Sequence, residues 1–225
     1  MDFFIKFCLR GGDAQSPEAR QRCGLLSGGA GIALNALLFL GKLLAGMLTG
    51  SIAVTADAFN NLSDAASSVV TLVGFRLAGQ EADEEHPFGH GRMEYLAGLA
   101  VSVLILLVGA ELAQSSVRKI LSPEPVAFST LSVGILAASV VVKLWMFWFN
   151  RGLSRAIQSA ALSATAADSL SDAVATTTLL LGLLAGHFLS LPLDGWLGLA
   201  VALFILRAGW GAARDTIDPL LGRPM

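Results

Sequence analysis

Apolar residues run in long blocks along this chain, and polar positions collect in short breaks between them. A helix needs about 20 mostly apolar residues to cross a bilayer. Six stretches meet that demand, roughly 28–49, 51–78, 93–116, 130–149, 157–185 and 193–213. Short polar or Gly/Pro-bearing turns separate them, too short to form a second folded unit. The pattern predicts an all-α membrane protein of six transmembrane helices. It divides the chain into a cytosolic N-terminal segment over 1–26, a six-helix membrane domain over 27–215 and the start of a linker over 216–225.

Composition agrees: 54% of the 225 residues are hydrophobic and 14% charged, which excludes an ordinary soluble domain. Net charge is −2 without a basic block or acidic tail, so no nucleic-acid partner is expected. The placement of cations sets orientation, because Lys- and Arg-rich loops stay cytoplasmic. With the N-terminus inside, ten cations (Lys6, Arg10, Arg20, Arg22, Arg76, Arg92, Arg151, Arg155, Arg214 and Arg223) fall on inner segments. Only Arg118 and Lys119 fall on outer ones, so both termini are expected in the cytosol. Lys42, Lys143 and Arg207 lie inside apolar spans. Lys143 and Arg207 are expected to snorkel to an interface or to pair with an acid. Cys8 and Cys23 lie before the first apolar block, without CxxC spacing, and read as cytosolic thiols. Residues 1–10 hold few apolar positions and no small-residue cleavage site follows, which argues against a secretory signal.

The second span carries Asp57, Asn60, Asn61 and Asp64, and the fifth carries Asp168 and Asp172. A carboxylate at mid-depth costs about 2.5–3.5 kcal/mol on insertion scales, so these acids need a reason. Asn60 and Asp64 are four apart, as are Asp168 and Asp172, which puts each pair on one helix face. The stretches NNLSDAASSVVTLVG (60–74) and DSLSDAVATTTLLLG (168–182) share Leu, Ser, Asp, Ala, Leu and Gly in register, a weak internal repeat. With the second span running inward and the fifth outward, the related helices are antiparallel and both pairs come near mid-depth. Transporters place their sites this way, at the midplane between inverted elements. Hydrogen bonding between helices would explain a single Asn. Two matched pairs favour a site instead. Asp57 sits off the Asn60/Asp64 face, and a structural role, an outer-vestibule role and a ligand role all stay open.

Three carboxylates and an amide form a hard, all-oxygen donor set, suited to manganese, magnesium or calcium more than to copper or zinc. Calcium would require several further oxygens, so manganese fits most easily. Clustered acids in a low dielectric would also take up protons once a metal leaves. Metal efflux in exchange for protons is therefore expected, a secondary active transporter rather than an enzyme. No prosthetic group is expected, the metal being cargo. The loop QEADEEHPFGHGRMEY adds Asp83, His86 and His90, a second metal site if the Pro87/Gly89 turn folds it back, or else a polar loop with exposed histidines. His187, near the outer end of the fifth span, reads as an interfacial side chain.

SIAVTADAFNNLSDAASS, HPFGHGRMEYLA, ATAADSLSDAVAT and the closing DTIDPLLGRP together resemble the cation diffusion facilitator family over nearly the whole chain, from Ser27 to Pro224. The resemblance implies a six-helix metal/proton antiporter, usually a homodimer in the bacterial inner membrane. It implies transport ligands at Asn60, Asp64, Asp168 and Asp172, and a secondary site in some members at Asp83, His86 and His90. Zinc-selective branches usually carry His at the position of Asp168. The Asn/Asp/Asp/Asp set here is similar to that of the manganese-exporting branch. The family pattern also implies a charge interlock between Arg92 and Asp218, and a cytosolic dimerising domain that would begin where the chain stops, at Met225. Other readings are the same fold carrying zinc, iron, cadmium, cobalt or magnesium, a non-transporting membrane adaptor, and an intramembrane aspartyl protease, whose GxGD pattern is absent.

Overall fold

A computed structural model describes residues 17–78, 92–189 and 191–220. They form six α-helices: α1 Pro17–Thr49, α2 Ile52–Ala78, α3 Arg92–Leu121, α4 Thr130–Ile157, α5 Ala160–Leu189 and α6 Asp194–Leu220. The all-α, six-helix expectation is borne out, with helices that outrun the apolar blocks. The 33 residues of α1 make a rod of about 50 Å, longer than a hydrocarbon core of about 30 Å. The fifth helix starts at Ala160 rather than 157 because α4 stays helical to Ile157 and Gln158 then turns left-handed at φ 50. Between α1 and α2 the chain reverses through Gly50 at φ 65, which glycine enters without a Cβ penalty.

Among the described residues, five helices are long and apolar enough to cross a membrane. The exception is α2, whose mean hydropathy is pulled down by Asp57, Asn60, Asn61 and Asp64. Those residues are shielded: α2 packs against α1, α3 and α6, while leucines such as Leu37, Leu40, Leu104, Leu107 and Leu181 stay exposed on the outside of the bundle, where lipid belongs.

The helices pack most extensively in three pairs, α3 with α6, α1 with α2, and α4 with α5. Ala56, Leu112, Ala202 and Ile205 seal α2 against α3 and α6. Cys23, Phe149, Leu153, Ile157 and Leu162 seal the inner ends of α1, α4 and α5. Cys23 is therefore a core residue of α1, not part of a polar tail; Cys8 lies outside the described residues. By contrast α2 and α5 touch only slightly, so side chains rather than close backbone packing bridge them.

At the outer end, the Asp194 carboxylate at the start of α6 accepts from the backbone N–H of Ile52 at 3.0 Å and of Ala53 at 3.4 Å, and from the Ser51 hydroxyl. It caps α2 from another helix. Lys119 of α3 closes the knot at 2.7 Å from Asp194 and donates to the Gly50 carbonyl at 2.6 Å. Asp194→Ala removes the cap and leaves a buried ammonium short of its counter-ion, at a cost of about 3 kcal/mol. A lowered melting temperature in detergent is expected, with Asp194→Asn between the variant and wild type.

Candidate metal centre

The small residues of α2 and α5 leave room between the two helices, and the acids project into it. One carboxylate oxygen from each of Asp64, Asp168 and Asp172 lies within 4.8 Å of the other two, close enough for one ion to touch all three. Asn60 donates from its amide to Asp172 Oδ1 at 2.9 Å, so all four residues singled out by spacing sit at one place. Their surroundings differ. Asp172 and Asn60 are buried, Asp64 is partly buried and Asp168 is exposed. Exposure thus rises from Asp172 to Asp168, the acid one turn nearer the start of α5.

A cation already sits among these oxygens. Lys143 of α4, 1% exposed, places its ammonium against Asp172 Oδ2 and 3.2 Å from Asp64 Oδ2. Its third partner is the side-chain amide oxygen of Asn35 on α1, at 2.7 Å. Four helices therefore converge on one point, joined by polar side chains. Of the two expectations for Lys143, pairing with an acid is the one realised. Arg207 is exposed on α6.

One to two turns further out lies a second buried centre. Lys42 of α1 pairs with Asp57 Oδ2 at 2.7 Å and donates to Thr176 Oγ1 of α5 at 2.8 Å, and Thr176 in turn donates to Asp57 at 3.0 Å. At 2% exposure beside a fully buried lysine, Asp57 belongs to a closed ion pair, which favours the structural one of the three roles left open for it. The physical reason is local, since a carboxylate inside the bundle needs a counter-ion and Lys42 is the nearest one. Asn61 beside it donates to the Asp57 backbone carbonyl at 2.8 Å. The two centres share a plan, in which a lysine from α1 or α4 meets an aspartate from α2 and an oxygen from α5. Their charges differ. The outer pair sums to zero, whereas three carboxylates and one ammonium sum to two negative charges at the inner centre when all three acids are ionised.

His187 is exposed at the outer end of α5 and stacks on Phe128 with ring centroids 4.2 Å apart. Asp83, His86 and His90 lie outside the described residues. Arg92 opens α3 and Asp218 lies near the end of α6, but their side chains are outside the description too. Sequence reasoning had no place for Asn35 and left Lys143 open. A usable signal was present, because a lysine inside an apolar span must find an acid, and Asn35 and Lys42 are two turns apart on one face of α1.

Residues 30–221 match the Cation efflux transmembrane domain. The chain belongs to the cation efflux family. Among curated members, it is 32% identical to the manganese efflux system protein MneS of Bacillus subtilis over 194 residues, covering 85% of this chain and 67% of MneS. It is 30% identical over 189 residues to the cation-efflux pump FieF of Cronobacter sakazakii, covering 84% of this chain and 63% of the pump. It is 29% identical over 201 residues to the magnetosome protein MamM of Magnetospirillum gryphiswaldense, covering 88% of this chain and 59% of MamM. The chain spans about two thirds of the length of these relatives. Membership of the cation efflux family places it among multi-pass membrane transporters of cations and not among enzymes, so the aspartyl-protease reading falls away.

Proposed function

We propose that this protein exports a divalent metal, manganese in exchange for protons, through the centre formed by Asn60, Asp64, Asp168 and Asp172. The observation that carries this reading is the convergence of three carboxylates from two slightly touching helices on a single point. Net charge supports a divalent cargo, since the centre with its lysine is two charges negative and a divalent ion neutralises it. Donor chemistry supports manganese. Carboxylates and an amide oxygen, without imidazole or thiolate, suit a hard ion, and the relative MneS bears a manganese efflux name. The same fold carrying zinc, iron, cadmium, cobalt or magnesium is the second reading, favoured by the breadth of the family, and a non-transporting adaptor the third.

Proton exchange follows from the same oxygens, which bind metal when ionised and protons when the metal has gone. Metal then moves toward the acidic side of the membrane. Asp168 is exposed while Asp57 and Lys42 are buried further out, as a state that loads metal from the cytosol would have them. A homodimer in a bacterial inner membrane, with a second metal site at Asp83, His86 and His90 and a charge interlock between Arg92 and Asp218, completes the proposal. Proteoliposomes with an imposed pH gradient test it. Manganese should accumulate on the acidic side and outcompete zinc. Accumulation indifferent to the gradient would remove the proton, and preference for zinc would remove the donor argument.

A further inference from the structure

We propose that Lys143 is a tethered competitor for the transported metal: its ammonium fills the carboxylate cluster between cargo ions and must give up Asp64 and Asp172, keeping Asn35, before a metal can load. The inference rests on the transport reading above and deepens it by naming the residue that sets the affinity of that site.

The geometry carries it. The Lys143 ammonium lies against Asp172 and 3.2 Å from Asp64, so it contacts two of the three carboxylates that would hold a metal. A metal and an ammonium cannot occupy the same oxygens, because both are cations and both need those lone pairs. Displacement is therefore a condition of loading. The ammonium keeps one partner when the carboxylates are taken, since the Asn35 side-chain amide oxygen already accepts from it at 2.7 Å and comes from α1, which carries none of the three acids. Asn35 is itself buried, so this second acceptor lies inside the bundle and not in solvent.

Three consequences follow for the transport cycle. An empty site returning across the membrane keeps the ammonium on two of its three carboxylates, which lowers the negative charge that the exchanged protons must meet. A monovalent ion brings one charge against the ammonium's one and gains little by displacing it, whereas a divalent ion brings two. Affinity for the metal is lowered by the competition, which assists release on the far side. The outer centre offers a contrast: Lys42 faces one carboxylate and a threonine, a neutral set that gives a divalent ion nothing to gain.

Manganese binding to the full chain in detergent, followed by electron paramagnetic resonance of the free ion, tests this. Lys143→Met keeps the length of the side chain and removes the competitor, so the Kd for manganese should fall at least tenfold. Asn35→Leu should act in the opposite sense. With metal bound, the displaced ammonium would lose its one remaining acceptor, while in the empty site it loses one partner of three and keeps both carboxylates; the Kd should rise at least fivefold. A lysine serving only to hold the helices together would lower melting temperature in both variants without moving the two Kd values apart. Equal or weaker binding by folded Lys143→Met, or an unchanged Kd in Asn35→Leu, overturns the inference. Should Lys143→Met not fold, Asn35→Leu decides alone. Absence of manganese binding by the wild-type chain overturns the transport reading itself, so the two failures are distinct.

Discussion

Asparagine in place of Asp172 lowers metal flux by two orders of magnitude or more. Asp172 is the hub of the centre, taking the Lys143 ammonium on one oxygen and the Asn60 amide on the other. The substitution keeps size and removes a charge, so the metal loses a ligand and the cluster no longer balances a divalent ion. Removing one partner of a buried ion pair costs about 3–5 kcal/mol, and each 1.4 kcal/mol is about a factor of ten. Asp64 still holds the lysine and softens the structural part of that loss. Flux should therefore fall far more than stability. Initial uptake rates in proteoliposomes, set beside melting temperatures of the same preparations, check both halves. A variant that melts normally and transports at a tenth of the wild-type rate would place Asp172 outside the ligand set.

The largest expected stability effect lies in the outer pair. Lys42→Met leaves Asp57 buried without a counter-ion and takes a donor from Thr176. The cost is again about 3–5 kcal/mol. For a chain of this size each kcal/mol corresponds to about 2–4 °C, so a fall of about 6–20 °C is expected. Replacing both partners, as Lys42→Met with Asp57→Leu, removes both charges at similar volume and should restore most of the loss. A double variant as unstable as the single one would mean that the pair is not what holds α1 and α2 to α5 at this level.

The fold was legible because a bilayer permits so few solutions. Apolar blocks of spanning length can only be helices, and the distribution of lysine and arginine gave their direction. Boundaries were less legible. Helices continue beyond the apolar blocks wherever nothing stops them, as α1 does back to Pro17, and Cys23 was misplaced for that reason. The acids of the centre were legible through i,i+4 spacing and the match between 60–74 and 168–182, both local properties of the chain. The lysines were not. Which acid Lys42 or Lys143 meets depends on how α1 and α4 lie across α2 and α5, and no spacing within one helix encodes that. The role of Asp57 stays open in the sequence for the same reason: its partner lies 15 residues back on the neighbouring helix. The cap that Asp194 provides to α2 is likewise a contact between elements far apart in sequence.

Uptake of radioactive manganese into proteoliposomes, wild type against Asp64→Asn under one imposed pH gradient, bears most directly on the claim that these acids carry the metal. Asp64 is the acid of α2 in the cluster and is partly exposed, so its replacement tests the ligand set with the least disturbance of the core. The account predicts gradient-driven accumulation by the wild-type chain and none above empty vesicles by the folded variant. Equal uptake by the two would contradict it, and the metal would have to cross somewhere other than between α2 and α5.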